Sequence, residues 1–205
     1  MRLSASQAIF LFRWTLFAAA SAPLLWMFWA WHADALGVFP EERLLHQLGR
    51  LGLLLLLLTL TARPAFRITG WPGFMAVRRQ VGLWSFAYLM LHAVVWLWLH
   101  QMWEWDFIRA ELVDLRYLQV GAVSLLLLIP LAVTSVAAAQ RLLGPQRWQR
   151  LHRLVYFAAA GGVLHFWMLA RVDRFEVWLA TFALAGLMLF RLGDALLRAR
   201  RSRPI

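Results

Sequence analysis

Residues 80–103 read QVGLWSFAYLMLHAVVWLWLHQMW. No acid, lysine or arginine interrupts the stretch, and its apolar side chains do not alternate with polar ones. An apolar run of about 20 residues is long enough to cross a bilayer as a helix, whereas a barrel strand would alternate. Near the middle of this run stands His92. An ionisable group in hydrocarbon costs on the order of several kcal/mol, which makes it a functional-site candidate by default.

Five more stretches have the length and composition of spans. With residues 80–103 they are 8–31, 44–62, 117–138, 150–170 and 175–197. The expected fold is therefore all-α: a single integral membrane bundle of six transmembrane helices occupying residues 1–205. The second stretch carries the weakest signal, because His46 and Arg50 occupy its first turns. Ala20-Ser21-Ala22 after Arg2 faintly resembles a signal-peptide cleavage site. The apolar run continues past it through Leu24-Leu25-Trp26-Met27-Phe28-Trp29, so an uncleaved first span is expected.

Composition agrees with a membrane protein. The chain is 62% hydrophobic and has a net charge of +11, and all 21 basic residues are arginine. The arginines gather between the apolar runs, which points to cytoplasmic loops rather than nucleic-acid binding. Segment 62–79 carries Arg63, Arg67, Arg78 and Arg79 without an acid. Segment 140–153 carries Arg141, Arg147, Arg150 and Arg153, and the tail carries Arg198, Arg200, Arg201 and Arg203. The acids lie in the other links: Asp34, Glu41 and Glu42; Glu104, Asp106, Glu111 and Asp114; Asp173 and Glu176. The positive-inside rule then places both termini in the cytoplasm and directs the third and fifth spans outward. Arg63-Pro64, Trp71-Pro72-Gly73 and Gly144-Pro145 are expected chain breaks. With no cysteine, thiol catalysis and iron–sulfur ligation are excluded.

The histidines decide the chemistry. His92 lies 13 residues after Arg79, and His165 lies 13 residues after His152. At 1.5 Å per residue both sit about 20 Å from the cytoplasmic helix starts, at one depth. Matched imidazoles on neighbouring helices suit a bis-histidine haem; interhelical hydrogen bonding is the blander alternative. His152, at the cytoplasmic start of the fifth span, is either an interfacial side chain or a ligand of a second haem. That second haem would need an unusual partner such as an arginine, Met75 or water. On one ideal helix His152 and His165 would point roughly 140° apart, a mismatch that a bulge at Gly161-Gly162 would reduce. His46 and Arg50 share a face at the outer end of the second span and either support the site or are interfacial, and His100 near the outer mouth either contacts a partner or quinone or is interfacial; the interfacial reading is the expected one for both. Buried histidines also suit a small transporter or proton channel, although no half-helix pair or internal repeat stands out.

Four stretches resemble the MsrQ (YedZ) family of the ferric-reductase-like transmembrane group. They are Thr69-Gly70 with Arg78-Arg79-Gln80-Val81-Gly82-Leu83-Trp84; Tyr88-Leu89-Met90-Leu91-His92; Pro130-Leu131-Ala132-Val133-Thr134-Ser135; and Arg147-Trp148-Gln149-Arg150-Leu151-His152-Arg153-Leu154-Val155-Tyr156 with His165-Phe166-Trp167. Leu115-Arg116-Tyr117 departs from the family's Arg-Pro-Tyr pattern. The resemblance implies a haem b electron-transfer subunit of the bacterial inner membrane, with His92, His152 and His165 as iron ligands and one or two haems. It implies FMN; Arg78, Arg79, Arg150 and Arg153, at the inner side, are expected contacts for haem propionates or a flavin phosphate. It further implies a quinone pool or soluble flavin reductase as donor. The acceptor would be a periplasmic molybdopterin-containing methionine sulfoxide reductase that repairs oxidised proteins. The chain would then be the electron-transfer subunit and not the catalytic one. No glycine-rich dinucleotide fingerprint follows a strand, so nicotinamide chemistry falls to another protein.

Overall fold

The computed structural model describes residues 4–170 and 174–201. Arg2, Asp173 and Arg203 lie outside them. The described residues form helices α1 (Ala5–His32), α2 (Pro40–Thr69), α3 (Gly73–Val95), α4 (Trp105–Asp114), α5 (Arg116–Val133), α6 (Ala137–Leu151), α7 (Leu154–Leu169) and α8 (Phe175–Arg201). A π-helical turn, Trp96–His100, prolongs α3. Five helices are long and apolar enough to cross a membrane, and α7 is a shorter apolar helix. Large apolar side chains such as Phe10, Trp14, Phe28, Val123, Leu126, Phe182 and Leu189 point outward. A surface this apolar is suited to lipid and not to water. The protein is a multi-pass membrane bundle.

The helix ends follow from local chemistry. Ser4 and Gln7 form a capping box that closes the start of α1. Pro40 stands in the first turn of α2 with Glu41 and Glu42 beside the positive end of the helix dipole. At its other end Gly70 takes a left-handed conformation (φ 70°) and returns its N–H to the Phe66 carbonyl.

The span with the weakest sequence signal turns out to be the central one. Leu53, Leu56, Leu57 and Leu60 of α2 are buried against α3, α7 and their neighbours. The arginines and acids of α2 occupy extra turns, since 30 residues make a helix about 45 Å long. Helices α2 and α3 pack along their length, and so do α5 and α7. Tyr88, fully buried, donates to the Ala20 carbonyl at 2.7 Å and so fixes α1 against α3.

Three expectations need correcting. First, Pro64 does not break the chain, because α2 runs through it to Thr69. A helical proline cannot bond the carbonyl four residues back, here that of Leu60. Arg191 of α8 supplies the missing donor, with Nη2 3.0 Å from the Leu60 oxygen. The same guanidinium donates to the Tyr156 hydroxyl at 2.6 Å and lies 4.9 Å from the centre of its ring. Second, the fourth span, expected over 117–138, ends at Val133, and the link after it forms α6, in which the expected interruption at Gly144-Pro145 is a kink with Gly144 at φ 71°. Third, α7 passes unbroken through Gly161-Gly162, and the break falls at His152 and Arg153 instead. His152 is therefore the C-cap of α6 and does not share a helix with His165.

At the arginine-rich end, Asp194 of α8 is buried and pairs with Arg63, Arg67 and Arg198. One carboxylate thus ties the extended end of α2 to α8.

Arg191→Met is expected to destabilise the bundle by about 1–3 kcal/mol, the cost of leaving a buried acceptor unpaired. Adding Pro64→Ala to that variant restores the helical N–H and should recover part of the loss. Thermal unfolding in detergent checks both outcomes.

Candidate functional site

His92 projects from α3 and His165 from α7, and the two ring centres stand 6.3 Å apart with their planes at 81°. The structure brings these two side chains together. His92 Nδ1 lies 2.9 Å from the Leu45 carbonyl of α2, and His165 Nδ1 lies 2.7 Å from the Tyr117 carbonyl of α5. A carbonyl can only accept, so each Nδ1 carries the proton. A neutral imidazole bound in this way has its lone pair on Nε2, the nitrogen left for a metal.

The spacing fits one metal between the rings. Metal–imidazole bonds are about 2 Å and a ring nitrogen lies about 1.2 Å from its ring centre, so two trans imidazoles place their centres roughly 6.4 Å apart. Among the described residues, no group of three or more His, Cys, Asp or Glu side chains is placed to hold an ion. Two imidazoles without further protein ligands suit a metal whose other positions are filled by a macrocycle, as in haem.

The rings face a cavity of about 370 Å³ between α2, α3, α5 and α7, within the range of cofactor sites. Its wall is mostly apolar, with Leu53, Leu89, Leu125 and Phe166 among the lining residues. His46 and Arg50 of α2 also line it, although the interfacial role was the expected one. Arg50 pairs with Glu176 of α8 at 3.1 Å. Their cue was there: a histidine and an arginine four apart lie on one helical face, and Gly49 lies on that side too.

His152 occupies a different place. Its Nε2 is 3.1 Å from Thr134 Oγ1, and its ring stacks on Trp148 with centres 3.9 Å apart. Thr134 already donates its hydroxyl to the Pro130 carbonyl at 2.6 Å, so His152 Nε2–H is the donor to Thr134. Trp148 Nε1 donates to the Thr134 carbonyl at 3.0 Å. With Nε2–H so engaged, the lone pair of the neutral ring lies on Nδ1.

The four predicted arginines separate. Arg78 is near His152, Tyr156 and Arg191. Arg79 instead lines a groove against α1 with Arg13, Phe17, Gln80 and Trp84. Arg150 and Arg153 are exposed. Only Arg78 is brought to the histidine.

Glycines set how closely the helices approach at the site. Gly52 receives the Leu89 side chain, and Gly161 leaves room for Ser124 Oγ. Each pair brings a histidine-bearing helix onto its neighbour.

The chain is similar to known proteins over most of its length. Residues 48–163 match the family described as ferric reductase like transmembrane component. The chain is 40% identical over 191 residues to the protein-methionine-sulfoxide reductase heme-binding subunit MsrQ of Rhodospirillum rubrum, covering 93% of this chain and 92% of that one. It is 36% identical over 186 residues to the Caulobacter vibrioides protein of the same name, covering 91% and 89%. The Azospira oryzae protein of that name is 41% identical over 160 residues, covering 78% and 69%.

Gly161→Ala should cost about 1 kcal/mol, because the new methyl displaces Ser124 Oγ from its bond to the Val120 carbonyl. Ser124→Ala in the same chain removes the obstruction. The double variant is expected to melt closer to the parent than Gly161→Ala does, as measured by a double-mutant cycle in detergent.

Proposed function

Because the chain belongs to the MsrQ family of haem-binding subunits, within the ferric reductase like transmembrane group, we propose that it is a haem b electron-transfer subunit. His92 and His165 would hold one haem through their Nε2 atoms. The observation that carries this reading is the 6.3 Å separation of two rings whose Nδ1 atoms are already engaged by helix carbonyls. Haem held there supplies one-electron chemistry, while the protein fixes its position and tunes its potential.

The chain's own residues divide the remaining work. The Leu45 and Tyr117 carbonyls orient the imidazoles and raise their basicity as ligands. The apolar wall excludes water. His46 and Arg50 stand at the cavity lining where a haem carboxylate would meet a cation. At the other end, His152 is the ligand candidate for a second haem, with Arg78 beside it as a partner for a propionate or an FMN phosphate. Arg79, Arg150 and Arg153 are assigned to electrostatic attraction of anionic groups at that face, since they lie apart from His152 or on the surface.

In the bacterial inner membrane the chain would form one domain of six spans, with both termini cytoplasmic. The loop charges support this orientation. Electrons would enter at the arginine-rich side from the quinone pool or a soluble flavin reductase. They would leave at the acidic side to a periplasmic molybdopterin-containing methionine sulfoxide reductase that repairs oxidised proteins. The chain itself is the electron carrier and not the catalytic subunit.

Purified protein should show a low-spin haem b spectrum. His92→Ala and His165→Ala are each expected to abolish the bis-histidine signal, whereas His152→Ala should leave that signal in place. Full low-spin haem in both of the first two variants would overturn the assignment. A colourless preparation that conducts protons would favour a transport role.

A further inference from the structure

One construction occurs twice in the cavity wall. His92 bonds the carbonyl of Leu45, and four residues on, where an α-helix returns the N–H to that carbonyl, stands Gly49. His165 bonds the carbonyl of Tyr117, and four residues on stands Gly121. The bonded pairs are separated by 47 and 48 residues of sequence. A Cβ on Gly49 would lie 3.1 Å from both Nδ1 and Cε1 of His92. A Cβ on Gly121 would lie 2.8 Å from Nδ1 and 3.0 Å from Cε1 of His165. In both halves the absent side chain would press on the ring edge that holds the proton-donating nitrogen. Neither ring can turn away from such a group without loosening its bond to the carbonyl.

We infer that Gly49 and Gly121 are positioning residues for the two ligand imidazoles: they let each ring lie directly on the neighbouring helix backbone and so hold the two ring planes crossed. The inference rests on the bis-histidine haem reading and extends it to the azimuth of each ligand. Two glycines of α8 provide the contrast. Around Gly186 and Gly193 of α8 an added Cβ would meet nothing within 4 Å. The glycines that touch a histidine are the two that follow the accepting carbonyls by one helical turn.

Crossed planes have a spectroscopic signature. Each axial imidazole donates π density to a different iron d orbital, which keeps two orbitals nearly equal in energy. Ferric low-spin haem then gives a strongly anisotropic electron paramagnetic resonance signal at low field. Rings turned toward a common plane lift the degeneracy and give a rhombic signal instead.

The test uses the full-length purified protein with its haem, and compares the parent with Gly49→Ala, Gly121→Ala and Gly193→Ala. The parent should show the low-field signal. Gly121→Ala should shift it toward the rhombic form, and Gly49→Ala should do so less, in the order of the two approach distances. Gly193→Ala should match the parent. Should Gly121→Ala fail to fold, Gly49→Ala alone decides. Loss of low-spin haem from an alanine variant that elutes and melts like the parent also supports the role. Alanine variants that keep their haem and the parent's signal overturn the positioning role while leaving the haem assignment intact. A parent without low-spin haem overturns the haem assignment itself.

Discussion

An imidazole N–H inside hydrocarbon has no water to bond, and this constraint organises the bundle. Helix carbonyls are the available acceptors, but each is already engaged within its own helix and shielded by side chains. A second donor reaches one where the backbone is left bare, and glycine does this without cost in side-chain volume. Leu45 and Tyr117 offer such carbonyls because Gly49 and Gly121 follow them by four residues. The same rule governs the opposite end. Pro64 frees the Leu60 carbonyl, and Arg191 crosses from α8 to bond it. In each place a defect in one helix becomes the docking point of a polar side chain from another.

The two ends of the bundle are built for different tasks. At the cavity the histidine pair is almost symmetric, with equivalent donors, acceptors and glycines. Thirteen residues before His92 stands Arg79, where the other half has His152. The symmetry is therefore lost at the arginine-rich end. There His152 sits on a chain break, bonded to Thr134 and stacked on Trp148. Arg63, Arg67 and Arg198 share the single buried carboxylate of Asp194. That leaves a cationic excess suited to anionic groups arriving from the adjoining aqueous phase.

Much of this was legible in the sequence, and what was missed shares a physical cause. Apolar runs of span length reveal membrane helices because lipid imposes their length. The closeness of His92 to His165 was expected from helical rise, which is insensitive to side-chain detail. The passage of α2 through Pro64 was hidden, because the compensating donor lies 127 residues further along the chain. The short helices α4 and α6 fell below a search tuned to bilayer thickness. The break at His152 was hidden because Leu151, His152 and Arg153 carry no glycine or proline. Gly49 and Gly121 read as unremarkable small residues until the imidazoles that need them were placed.

A cofactor cavity in a bundle needs walls that do not close on it. Here the tight contacts lie within the pairs α2/α3 and α5/α7, drawn together by Gly52 with Leu89 and by Gly161 with Ser124. Each pair internally satisfies its own histidine through a carbonyl of its own partner helix. Neither pair needs the other to complete a hydrogen bond at the site. The space between them can therefore remain open with both imidazole N–H groups paired, and a group inserted there meets two lone pairs rather than two competing donors. The separation of the pairs is what a bridging metal would set, whereas the orientation of each ring is already fixed before any metal arrives.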